Sequence, residues 1–420
     1  MEPINFDLSN EPPLCIALDH PTPCFGCAST SGFASLPSMG CIGGEVSDCL
    51  EWSNNECLTT FNALGHRSVE KQERMRELLI PTAPIVVDPG TYRWRVGFAN
   101  SDKPKSSFLT ETSMLDGTAV EEDGRIVRFE STELSITYFE RYVNHALRFL
   151  HCDPHSVSLC LALPLAFTLT YRNQLAEMLL ERVGAKSIFF ASEPLLSGFS
   201  SGKPTCLVVD SGYTYTSVYG LFDLYPERST EIIYSLGGRD IDAYLKWIAG
   251  VKLNDCTPAE INYIKSHFCS VSSKPLPSSS ITRGSKKRCS CQMPDGQVIK
   301  LGPELQLAPE LIFTPELNGR KRVPSIEAAI LDAAKRLPDE KSDAVLKNII
   351  LSGGNFKFKE LETRLKVAFP NCNVQSHPAG DLGVWLGGQI FASMPTFSSM
   401  VITAERWKEY GEEIVRKKWL

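Results

Sequence analysis

Residues 85–94, IVVDPGTYRW, and residues 207–216, LVVDSGYTYT, share one plan: a β-branched apolar run, an aspartate, one further residue, a glycine and a turn. Such a run reads as a buried strand stopping at a tight bend, where glycine lets the backbone come close to a bound group. The two aspartates, Asp88 and Asp210, stand 122 residues apart. Two copies predict two similar half-molecules, each offering a turn to something held between them.

A chain of 420 residues, 43% of them hydrophobic, can bury two such cores. No apolar run has the length of a bilayer span, and no membrane association is expected. The first thirty residues are acidic and broken by proline, so a secretory signal is not expected. The fourteen cysteines then read as reduced thiols of an intracellular protein. Net charge is −6, yet residues 1–66 hold eight Asp and Glu and no Lys or Arg, which leaves about +2 for the rest. Short basic clusters at 283–288, 320–322 and 416–418 read as solvated faces, too scattered for direct sequence-specific nucleic-acid binding.

Residues 1–66 are rich in Pro, Gly, Ser and Asn without sustained periodicity, and read as a mostly disordered extension. Cys24 and Cys27 have knuckle spacing, but Cys41 and Cys49 do not form the second close pair, and no zinc is expected. Residues 67–81 predict a short charged helix. Beyond it, strand and helix alternate around both turns, which predicts an α/β fold. Helices are expected over 131–149, opening at Ser131, and over 240–248, capped by Asp240; residues 101–124 read as a hairpin or loop.

Seven stretches then occur in order: VVDPGTYRWRVGFA (86–99), VVDSG (208–212), LGGRDIDAYL (236–245), MPDGQVIKLG (293–302), ILSGGNF (350–356), VWLGGQIFAS (384–393) and IVRKKWL (414–420). Together they resemble the actin and Hsp70 ATPase superfamily and, within it, the actin-related proteins. The resemblance runs from about residue 84 to the last residue. It implies two ribonuclease-H-like lobes around a nucleotide cleft, the first over 82–206 and the second over 207–370, with 371–420 returning to the first.

By the same resemblance, ATP or ADP with magnesium would sit between the turns, where backbone N–H groups and carboxylates serve phosphate and metal. The matching positions are Asp88, Gly90, Thr91 and Arg95 in the first turn, and Asp210 and Gly212 in the second. Gly238 and Lys265 match near the sugar, and Gly353 and Gly354 beneath the adenine. Glu193 matches a water-orienting position, although Glu-Pro also opens helices.

Several positions depart from the family pattern. Tyr92 stands in place of a second glycine, Arg95 in place of a lysine, and Tyr213-Thr214 in place of Asp-Gly. Ser266 stands in place of a ribose-binding glutamate, and Asp381 where a lysine lines the base. Each lost charge-assisted contact is worth about 1.5–3 kcal/mol, so a degenerate nucleotide site without useful turnover is expected. The segment between Phe98 and Val127 is about half the family's length, which implies a reduced or absent subdomain 2. Arg320, Lys321 and Arg322 replace an apolar plug and oppose filament contacts.

The expected role is a non-polymerising structural subunit of a multi-subunit cytoskeletal complex. It resembles the end-capping actin-related proteins of dynactin, and other actin-related proteins or actin itself would be its partners. A nuclear subunit of a chromatin remodeller and a weak ATP-binding switch remain the alternatives.

Overall fold

In the computed structural model, which describes residues 83–110, 119–122, 125–129, 135–275 and 289–419, the two aspartate turns close two analogous sheets. β1 (Ile85–Pro89) is buried at every position, as a strand with neighbours on both edges and both faces must be. It turns back into antiparallel β2 (Arg93–Phe98), and the register sets Asp88 opposite Arg95. β3 (Ser106–Leu109) extends that edge. A separate hairpin follows, β4 (Ala119–Glu122) with β5 (Arg125–Phe129). α1 (Ile136–Phe149) then carries the chain across to β6 (Ser158–Leu163), which pairs parallel with β1. α2 (Leu169–Glu177) leads to β7 (Ser187–Ser192), and α3 (Glu193–Ser200) leaves the sheet.

The second half repeats the scheme. β8 (Cys206–Ser211) is flanked by antiparallel β9 (Thr216–Phe222) and, on its other edge, by parallel β13 (Asn348–Ser352). β10 (Tyr225–Tyr234) and β14 (Asn373–Ser376) complete a five-stranded sheet in the order β10-β9-β8-β13-β14. α4 (Gly238–Ala249), α5 (Pro258–Phe268) and the hairpin of β11 (Cys289–Gln292) with β12 (Val298–Leu301) lie between β10 and β13. α6 (Gly383–Ala392) follows β14, and β15 (Ile402–Thr403) returns to pair with β7. The first sheet therefore runs β15-β7-β6-β1-β2-β3. Separate apolar clusters fill the two halves, one around Leu161, Leu175 and Phe190, the other around Val209, Ile241 and Ile349.

Several local expectations need correction. α1 opens at Ser135, whose hydroxyl accepts from the Tyr138 N–H, rather than at Ser131. Asp240 is not the cap residue of α4. It lies inside the helix and accepts from the Gly237 N–H at 2.7 Å. Arg320 was expected on a solvated face but is buried, paired with Asp240 and donating to the Ser235 carbonyl. An inward carboxylate at the start of α4 needs that charge, and only Lys321 and Arg322 remain exposed. The cysteines of residues 1–66 and the helix expected over 67–81 lie outside the described residues. Thr82–Leu420 forms one compact unit.

Candidate functional site

Strand register builds the base of the cleft. Because Asp88 and Arg95 oppose each other across the β1–β2 turn, the guanidinium reaches the carboxylate at 3.1 Å. Its other nitrogen reaches Asp381, after β14, at 2.7 Å, and Asp381 also takes Lys357 at 2.8 Å. Burial works against the Arg95 charge, yet Asp88 and Asp381 hold its pKa above the ordinary arginine value. Burial would also raise Asp381, but Arg95 and Lys357 outweigh it and hold the carboxyl below the usual range. Asp88 goes the other way: desolvation outweighs Arg95, and its pKa rises to about 6.

Asp210 ends β8 as Asp88 ends β1, but without an ion-pair partner among the described residues. Its Oδ2 is buried and makes no hydrogen bond, and desolvation raises its pKa. Glu193 opens α3 behind it and accepts a short hydrogen bond from the Tyr215 hydroxyl. Burial, then the neighbouring Asp210 and Asp88, push Glu193 well above the carboxylate range, and Tyr215 is displaced upward with it. Three carboxyls thus share one buried region with one guanidinium.

Above this base the two turns touch. Thr91 Oγ1 and Thr214 Oγ1 lie 3.2 Å apart, and the rings of Tyr92 and Tyr213 meet at 4.9 Å between centroids. Lys265 Nζ sits 5.4 Å from the Tyr213 ring centroid while donating to Asp242 and to the Gly238 carbonyl, both at 2.9 Å. Of the glycines assigned to nucleotide approach, Gly238 and Gly353 make room for the chain itself, as does Gly237 beside the former. A Cβ on Gly238 would lie 2.9 Å from Lys265 Nζ, and one on Gly237 2.4 Å from the Tyr213 carbonyl oxygen. Gly353, at φ +93°, would place a Cβ 2.4 Å from the Ser211 carbonyl oxygen.

These residues do not fit a magnesium nucleotide as arranged. Hydroxyls at hydrogen-bond distance leave no room between them for a phosphate. The Gly212 N–H donates to the Tyr215 carbonyl at 3.0 Å, so that turn amide is turned inward. Lys265 is held by Asp242, and Gly354 alone of the assigned glycines faces open space. Among the described residues, Asp210 Oδ2 and Asp242 Oδ1 are buried carboxylate oxygens without a hydrogen bond. Among the described residues no group of three or more His, Cys, Asp or Glu could hold a metal ion.

The structure brings Asp88, Arg95, Asp210 and Glu193 to one base, Thr91 to the middle, and Gly238 with Lys265 to the rim. Sequence reasoning missed Tyr215, Asp242 and Lys357, and the pairing of Asp381 with Arg95. Only the Asp88–Arg95 contact had a sequence signal, since seven residues spanning a strand, a tight turn and a strand place the two opposite each other.

Comparison with known proteins agrees with the paired-sheet architecture. The family model for actin matches residues 80–260 and 253–420. Actin-like protein 9 of Mus musculus is 26% identical over 374 residues, covering 80% of this chain and 88% of that protein. Actin-like protein 9 of Homo sapiens is 27% identical with the same coverage. With matched turns, paired sheets and a family match across both halves, the chain belongs to the actin family.

Proposed function

We propose that this chain is a non-polymerising structural subunit of a larger cytoskeletal complex, of an end-capping, dynactin-like kind, whose nucleotide site is degenerate. The observation that carries the reading is the contact of Thr91 and Tyr92 with Thr214 and Tyr213, where the family would place phosphates. Turnover is disfavoured at Glu193, whose carboxyl is engaged by a hydrogen bond from the Tyr215 hydroxyl rather than free to orient a water.

The small β4–β5 hairpin in place of a full subdomain 2, and the exposed Lys321 and Arg322, support a chain that does not propagate a filament. Its partners would be other actin-family chains, at a cytoskeletal address. Purified protein, denatured and assayed for released nucleotide, is expected to yield far less than one equivalent, and salt is expected to pellet no filaments. Stoichiometric ATP or salt-induced filaments would overturn the reading. Affinity purification separates the cytoskeletal from the chromatin-remodeller assignment by the subunits recovered.

A further inference from the structure

We propose that the two turns form an internal latch that keeps the cleft closed without ligand, with Arg95 in the place of a bound cation and the Tyr92–Tyr213 pair in the place of phosphates. This rests on the reading of the chain as a nucleotide-independent scaffold and adds what holds it shut. The latch has three tiers. At the base, Arg95 of β2 ties Asp88 to Asp381, and Asp381 ties on to Lys357, which follows β13 of the other sheet. In the middle, the Thr91 and Thr214 hydroxyls meet. At the rim, Tyr92 lies against Tyr213, which Lys265 and Asp242 brace from the second half.

Each tier joins residues of one half to residues of the other, and the upper two close the gap between the turns. A cleft that opens and closes on ligand needs lobes whose contact depends on that ligand. Here the cross-cleft contacts are supplied by the chain, and the glycine pair at 237–238 is spent on admitting Tyr213 and Lys265. Closure becomes a property of the sequence.

Amide hydrogen exchange on the full chain tests this at residues 89–95 and 211–216, with β6 and β13 as internal references. Tyr92→Gly with Tyr213→Gly should speed exchange at both turns about tenfold or more while the reference strands hold. Should that variant not fold, Thr91→Val with Thr214→Val decides, with about threefold faster exchange at both turns. Turns in the folded variant that exchange as in the wild type would overturn the latch. Adding Mg-ATP to the wild type separates the two claims. Slower turn exchange with Mg-ATP sinks the scaffold reading and the latch together, whereas silent Mg-ATP with silent variants sinks the latch alone.

Discussion

The two aspartate turns share strand, register and position, yet only one of them gives its buried carboxyl an ion-pair partner. The first sets Asp88 against Arg95, which also holds Asp381. The second leaves Asp210 Oδ2 without a hydrogen bond and surrounds it with Glu193, Tyr215 and hydroxyls. Burial raises both pKa values, but only the first carboxyl has a guanidinium that opposes the rise by direct contact. A duplicated fold thus conserves geometry more readily than electrostatics, because strand pairing depends on the backbone and charge balance on single side chains.

Arg95→Ala should give the largest effect on this contrast. It strips the cation from a site holding three carboxyls, and should cost about 3–5 kcal/mol in denaturant unfolding, with Arg95→Lys recovering part of it. Asp210→Asn removes a charge that has no partner, so unfolding at neutral pH should be unchanged or slightly harder. A loss matching that of Arg95→Ala would break the contrast.

The pH dependence of Asp88 comes next. Its folded pKa, about 6, lies above the unfolded value near 3.8, so the folded chain holds the proton more tightly. That contribution is complete below pH 3.8 and is lost as pH rises through 6. The difference is about 2–3 kcal/mol at roughly 1.4 kcal/mol per unit. Unfolding free energies of wild type and Asp88→Asn, compared from pH 4 to 7, should diverge in that sense; parallel curves would remove Asp88 from the account.

Smaller effects belong to the upper tiers. A double-mutant cycle on Tyr92→Ala and Tyr213→Ala should show a coupling of about 0.5–1.5 kcal/mol. Thr91→Val alone should cost about 0.5–1 kcal/mol. Zero coupling between the tyrosines would make their contact incidental.

The strands, their order and the glycine turns were legible because Val/Ile runs ending in Asp-x-Gly state their structure locally. What each glycine serves was not legible: at Gly237 and Gly238 the sequence admits a ligand and a tyrosine equally well. Arg95 meets Asp381 across 286 residues, and Tyr215 meets Glu193 from another element; neither contact leaves a periodic trace. Arg320 misled for a related reason. A three-cation run looks solvated until the inward Asp240 at the start of α4 is known. Tyr92 and Tyr213 were each legible as departures from the family pattern, but that they touch each other follows only from the two halves being packed together.

Thermal unfolding of the full chain, first with EDTA and then with millimolar Mg-ATP, tests ligand-independent closure most directly. A ligand present at a hundred times its dissociation constant stabilises the state it binds by about 2.7 kcal/mol, a rise of about 4 °C in a domain of this size. The latch predicts that the unfolding midpoint stays within about 1 °C through both additions. A midpoint that falls with EDTA and climbs by several degrees with Mg-ATP would contradict it.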